Sequence, residues 1–264
     1  MGYWQGKVAI VAGASAGLGR VIAGELLQQA ASVVAIARDA ERLQVAFTDQ
    51  PGVTLCAADM TSDADVTDAV ATAQQTYGRI DAVFHCVGKS HREEIQSLTA
   101  ATAEEYLQMN FLTAVRMTQQ AIPYLLQSKG HNVLIGSLAA KIASGYLGAY
   151  PVSKFPLAAY AQQLRIELGP KGLHTLLVCP GPIAREDAGR RYSELAANIP
   201  DAARQPAGGA KLKGVAPQWL ARRILRACEK RKTELVIPRK AKWLFAINQL
   251  CPTIGDWIIK KKTS

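Results

Sequence analysis

Tyr150 and Lys154 place a phenol and an ammonium four residues apart, in the run Tyr-Pro-Val-Ser-Lys. On a helix, that spacing projects both side chains from one face, one turn apart. An unperturbed tyrosine titrates at about 10. A neighbouring ammonium favours the phenolate and lowers that value. Such a pair can exchange a proton with a carbonyl or alcohol oxygen near neutral pH. The same spacing also arises by chance on a solvent-facing helix. Ser137 strengthens the chemical reading, because it follows the apolar run 133–136. Ligands of open parallel sheets bind beyond the carboxyl ends of the strands, where such a hydroxyl would lie.

A second constellation lies near the N-terminus. Residues 12–19 read AGASAGLG, with Gly13, Gly17 and Gly19 directly after an apolar run and opening a helical one. Gly13 permits a sharp turn. Gly17 and Gly19 let backbone approach a pyrophosphate and let the helix pack close to the strand. The helix N-terminus offers free N–H groups and the positive end of its dipole. In this strand–turn–helix setting the loop points to a dinucleotide. After the next apolar run, a carboxylate would bind ribose hydroxyls, whereas an Arg accommodates a 2′-phosphate. The chain there reads Ala37-Arg38-Asp39. Arg38 offers a planar fork of donors, and Ser15 adds a hydroxyl, so NADPH is expected over NADH. Asp39 is either a ribose ligand, which would restore NADH, or the N-cap of a helix over 40–47.

These residues must be positioned by the elements around them. Short apolar runs at 7–12, 33–37, 53–57, 81–86, 133–136, 175–179 and 234–238 read as strands. Helical spacing over 18–29, 63–77, 102–127 and 152–168 separates them. This alternation predicts an α/β fold with a doubly wound parallel sheet of about seven strands and helices on both faces. Strands covered on both faces are apolar throughout, as these are.

Length and composition agree with that reading. The 264 residues are 49% apolar and 20% charged, enough for a packed core. The longest uncharged stretches are 13 residues, 172–184 and 243–255. Both are shorter than the roughly 18 of a spanning helix. The N-terminus lacks the pattern of a signal peptide. Cys56, Cys86, Cys179, Cys228 and Cys251 show no metal spacing and read as free thiols in a reducing, cytoplasmic setting. Residues 1–201 carry a net charge of −2 and residues 202–264 one of +12. That asymmetry fits a basic tail, and no nucleic-acid-binding motif accompanies it.

Taken together, the motifs resemble the shorter, single-domain branch of the short-chain dehydrogenase/reductase family. AGASAGLG matches its TGxxxGxG loop, Asp59 in Ala-Ala-Asp-Met60 its adenine-side acid, and Cys179-Pro180-Gly181-Pro182-Ile183 its turn beside the nicotinamide. Asn110, Ser137, Tyr150 and Lys154 match its catalytic tetrad. The resemblance spans about 1–240 and implies a Rossmann-type fold. It implies cofactor contacts at Gly13, Ser15, Gly17, Leu18, Gly19, Arg38, Asp59, Met60, Gly88, Tyr150, Lys154, Pro180, Gly181 and Ile183. It also implies roles. Tyr150 would be general acid or base, Lys154 would lower its pKa and hold the nicotinamide ribose, Ser137 would bind the substrate oxygen, and Asn110 would hold a relay water. Relatives usually form homodimers or homotetramers through their long helices, here 102–127 and 152–168.

Three positions depart from the family pattern. The usual NNAG reads His85-Cys-Val-Gly88, which keeps only the glycine. Arg185 replaces the Thr expected after the Pro-Gly turn. Pro156 falls inside the catalytic helix, where a bend around Val152 is expected. Residues 182–217 should form a substrate lid, and the mostly apolar candidates Leu138, Ala139, Ala143, Tyr146 and Leu147 suggest a bulky or apolar ketone or aldehyde. The tail, 241–264, carries Trp243, Ile247, Leu250, Ile254 and Trp257 at near-helical spacing, broken by Pro252 and flanked by lysines. It reads either as a helix packed on the protein or a partner subunit, or as a peripheral anchor on anionic lipid. A non-catalytic NADPH-binding regulator is the alternative to an enzyme. No metal is expected.

Overall fold

The computed structural model describes residues 2–184, 199–200, 209 and 212–263. Seven strands form one parallel sheet: β1 (Val8–Ala12), β2 (Ser32–Ala37), β3 (Val53–Ala57), β4 (Ala82–His85), β5 (His131–Ile135), β6 (His174–Pro180) and β7 (Glu234–Ile237). Their order is β3-β2-β1-β4-β5-β6-β7, and every pairing is parallel. The chain thus winds outward in both directions from β1 and β4, as the alternation of elements predicts.

Side chains alternate across each strand, and both faces are covered. Ala9, Val11, Val33, Ala35 and Phe84 pack with α1 (Gly17–Gln28) through Ile22 and Leu26. Ile10, Val34, Ile36 and Val83 pack on the other face with α3 (Asp63–Tyr77) and α5 (Thr113–Gln127). Between these helices lie α2 (Ala40–Ala46) and α4 (Ala100–Leu107). After β5 come α6 (Ala149–Lys154) and α7 (Pro156–Glu167), then α8 (Pro217–Glu229) after β6. Two helices follow β7, α9 (Ala241–Leu250) and α10 (Pro252–Thr263).

The structure corrects three details of the sequence reading. The helix expected over 102–127 is interrupted by a π-helical turn, Gln108–Leu112. Where a bend around Val152 is expected, the helix is instead interrupted at Phe155, between α6 and α7. Pro156 has no N–H to donate, so it opens a new helix at N1, where none is needed. Helix α8 was not anticipated, although Leu220, Ala221, Ile224, Leu225 and Cys228 lie buried at helical spacing. Its arginines masked the pattern.

At the amino edge of the sheet, four groups form a hydrogen-bonded chain. Tyr3 Oη lies 2.6 Å from His131 Nε2, His131 Nδ1 lies 2.7 Å from His174 Nδ1, and His174 Nε2 lies 2.8 Å from the Lys232 carbonyl. The carbonyl can only accept, so neutral His174 carries its proton on Nε2 and accepts at Nδ1. His131 then donates from Nδ1 and accepts from the Tyr3 hydroxyl. Cys228 Sγ lies within 4.8 Å of histidine nitrogens here, but the bond between the two Nδ1 atoms occupies the lone pair a metal would take.

Burial lowers His131 to about 3, and burial with the Lys154 charge does the same to His85. Both values lie below the unfolded value of about 6.5. The stability tied to their neutral forms is therefore complete above about pH 6.5 and is lost as pH falls towards 3. Each should cost about 2 kcal/mol at about pH 5. Thermal unfolding followed at neutral pH and at about pH 5 should show a clear fall in Tm. An unchanged Tm would contradict the neutral assignment.

Candidate active site

The carboxyl ends of all seven strands open into one cleft of about 1530 Å³. Gly13, Ser15, Gly17, Leu18, Gly19, Arg38, Asp59, Met60, Gly88, Ser137, Tyr150, Lys154, Pro180, Gly181 and Ile183 all line it. Asn110 stands behind the wall, fully buried. Of the expected substrate-wall residues, Leu138, Ala139 and Leu147 line the cleft, whereas Ala143 and Tyr146 do not; Tyr146 is exposed at the turn before α6. Arg185, Arg190, Arg191 and most of the expected lid, 182–217, lie outside the described residues.

The glycine loop is shaped as its spacing requires. Gly13 has φ +83° and packs on the backbone between Cys86 and Val87, where a Cβ would approach within 3.1 Å. A Cβ on Gly19 would overlap the Gly13 carbonyl. Helix α1 has Ala16 at its N-cap, no side-chain cap and no acidic residue in its first turn. Its first N–H groups therefore face the cleft end without an intrahelical acceptor. A dinucleotide pyrophosphate fits that donor set.

At the end of β2, Asp39 caps α2. Its Oδ1 accepts from Arg42 N at 2.9 Å, and its Oδ2 lies 3.2 Å from Arg42 Nε. Both carboxylate oxygens are thereby engaged. Arg42 joins exposed Arg38 on this part of the wall, and Arg20 of α1 also lines the cleft; neither was singled out from the sequence. Asp59 Oδ1 accepts from both the N–H and the hydroxyl of Thr61 at 2.9 Å.

The four catalytic candidates come from three places: the π-helical turn, the turn after β5, and α6. Asn110 lies in the π-helical turn and points inward. Its Oδ1 accepts from Lys89 N at 2.7 Å, and its Nδ2 donates to Lys89 O at 2.9 Å and to Ser153 Oγ at 2.8 Å. Ser153 donates in turn to the Tyr150 carbonyl at 3.0 Å. The extra residue of a π turn re-aims side chains at functional sites, which here clamps the loop after β4 to α6. Ser153 was missed as a positioning residue, although its place just before Lys154 was visible. Gly88 lacks the Cβ that would stand 2.9 Å from Asn110 Oδ1 and 3.0 Å from Lys154 Nζ. Ser137 Oγ accepts from Ala139 N at 3.1 Å, which leaves its hydroxyl proton to donate.

Lys154 is buried, and its Nζ donates to the Ile135 carbonyl at 3.2 Å. Burial lowers it to about 8. The adjacent thiols of Cys86 and Cys179 are pushed up to about 12 by burial. They are uncharged at neutral pH and give the ammonium no counter-charge. His85 is neutral too, and its Nε2 has no hydrogen-bond partner among the described residues.

The profile of the short chain dehydrogenase family matches residues 7–194, which includes every strand but β7 and all four catalytic candidates. The chain belongs to the short-chain dehydrogenase/reductase family. It is an NAD(P)-dependent oxidoreductase. An uncharacterized oxidoreductase of Staphylococcus epidermidis is 30% identical over 203 residues, 74% of this chain and 88% of that protein. An 11-beta-hydroxysteroid dehydrogenase-like protein of Arabidopsis thaliana is 25% identical over 260 residues, 96% and 80% of the two chains. The crystal structure of a short chain dehydrogenase from Burkholderia cenocepacia, in complex with NADP, superposes with a TM-score of 0.76 at 22% identity, covering 95% of this chain and 96% of that one.

In this short-chain dehydrogenase/reductase the buried ammonium opposes folding. A lysine held near 8 against about 10.4 unfolded costs about 3 kcal/mol at neutral pH. Lys154→Met should therefore raise the cofactor-free Tm while abolishing turnover. A lowered Tm would show that the Ile135 contact outweighs the desolvation.

Proposed function

We propose that the chain transfers a hydride between NADP(H) and a carbonyl or alcohol substrate, with Tyr150 as general acid in reduction and general base in oxidation. The observation that carries this reading is the meeting, in one cleft, of the uncapped glycine-loop helix with Ser137, Tyr150 and the buried Lys154. When bound, the nicotinamide supplies or accepts the hydride. The Ser137 hydroxyl donates to the substrate oxygen and orients it. Tyr150 delivers its proton to that oxygen, and the Lys154 ammonium stabilises the phenolate left behind. Lys154 also holds the nicotinamide ribose. Both amide protons of Asn110 are engaged, so a relay water held by this residue bonds to a carbonyl oxygen. A non-catalytic regulator has no use for this arrangement. Tyr150→Phe should retain cofactor binding and lose turnover by about a hundredfold or more, and normal rates in that variant would refute the mechanism.

NADPH is the preferred cofactor in this reading. Arg38 and Arg42 line the cleft near the end of β2, Arg20 of α1 lines it too, and Asp39 is held as a helix cap. Paired fluorescence titrations should show tighter binding of NADPH than of NADH, and Arg38→Ala should weaken NADPH by about tenfold. Equal affinity for the two cofactors would remove the assignment. The apolar lining of Leu138, Ile142 and Leu147 supports a bulky or apolar ketone or aldehyde as substrate. Exposed Val152 on α6, Phe155 between the helices and Ile166 on α7 support a homodimer or homotetramer.

The tail supports a peripheral contact with anionic lipid. No helix among the described residues is long and apolar enough to cross a membrane. Yet Leu250, Ile254 and Trp257 are exposed beside Lys260, Lys261 and Lys262. In flotation assays the protein should rise with anionic vesicles, and Leu250→Ser with Trp257→Ser should abolish this. Failure of the unmodified protein to float would end the idea.

A further inference from the structure

The cleft extends well beyond Tyr150. Leu244 and Ile247 of α9 and Ile258 and Ile259 of α10 form its far wall, together with the segment that follows β5. Two cleft-lining side chains here remain open to solvent, Trp243 at 76% and Ile247 at 37%. That is apolar area a ligand would cover. A single ligand fills roughly 300–1,000 Å³, so a cleft of about 1530 Å³ holds the dinucleotide and a second body.

Charge divides this space. The carboxylates that line it among the described residues are Glu25, Asp39 and Asp59, all at the cofactor end. Among the described residues, the charged groups beyond Lys154 at the apolar end are Lys89, Arg92, Lys240 and Lys262, and every one is a cation. Lys89 is paired with Glu105 at 3.1 Å. Lys240 and Lys262 have no ion-pair partner among the described residues. An apolar wall that ends in unpaired ammonium groups suits an amphipathic anion better than a neutral ketone.

We propose that the α9–α10 hairpin is the substrate-selecting wall of the cleft. Its substrate is a carbonyl compound with an elongated apolar body and an anionic terminus. The body lies against Ile247, Ile258 and Ile259, and the charge meets Lys240 and Lys262. The proposal rests on the reductase reading and narrows its substrate class. The hairpin is held in place for this task. Phe245 and Ile259 are buried, and a Cβ on Gly255 would overlap Asn248, so the two helices touch at a glycine. Leu250, Ile254 and Trp257 do not line the cleft, so a lipid surface would use a different face.

The test uses the full chain with short-, medium- and long-chain keto fatty acids, their methyl esters, and acetone as a small uncharged carbonyl. Both kcat/KM with NADPH and direct calorimetric binding to the NADP-loaded protein are measured. Each methylene that reaches the wall should raise kcat/KM by about fourfold, and the free acid should be preferred to its ester by about fivefold. Lys262→Ala with Lys240→Ala should collapse the acid-over-ester preference, and Ile258→Asn should flatten the chain-length dependence. A flat chain-length profile with equal acid and ester, alongside reduction of acetone, overturns the proposal and leaves the reductase reading intact. Selective binding of long-chain acids without turnover supports the wall and overturns the reductase reading. Binding abolished by Trp257→Ser but untouched by Ile258→Asn places the ligand outside the cleft and overturns the proposal.

Discussion

A sheet whose strands all run one way must be covered on both faces, and it delivers every carboxyl end to the same edge. The rest of this protein follows from that constraint. Alternate residues of β1, β2 and β4 feed two separate cores, and the polar side chains of these three strands, Ser32 and His85, stand at strand ends. Residues of the strand ends and of the turns beyond them line the cleft. At one edge those turns enclose the cleft. At the other, where no ligand is called for, the histidines of β5 and β6 are closed into a neutral chain between Tyr3 and the Lys232 carbonyl.

Within the cleft the dominant cost is the burial of the Lys154 ammonium among groups that carry no charge. Its position is over-determined. The Ile135 carbonyl takes one of its protons, Gly88 leaves room beside it, and the Asn110–Ser153 clamp fixes the helix that carries it. Such a cation is poorly solvated and has no local anion among the described residues. In the proposed mechanism, a phenolate forming at Tyr150 is the charge that would relieve it.

The C-terminal helices join the two ends of the molecule's chemistry. Their inner residues continue the apolar surface of the cleft, and their outer residues stay exposed beside a basic cluster. One sequence feature, apolar residues at helical spacing with lysines at either end, therefore presents two faces, one lining the cleft and one exposed. Read as a one-dimensional pattern, it looked like either a packed helix or a lipid anchor. The fold shows that the inner face already has a place in the cleft.

Sequence alone determined the strand–helix alternation, the glycine loop and the Tyr150, Lys154 and Ser137 positions. These are local patterns of spacing and residue type, and local physics enforces them. Tertiary structure decided what depends on residues distant in the chain. Asn110 meets Ser153 across 43 positions only because a π turn rotates it inward, and no composition rule marks that turn. Pro156 reads as a helix breaker, yet it starts a helix once Phe155 separates α6 from α7. The pattern of α8 was hidden by arginines that solvate its outer face. The far wall of the cleft comes from residues 241–263, and no motif announces them, because a wall is defined by what lies across from it.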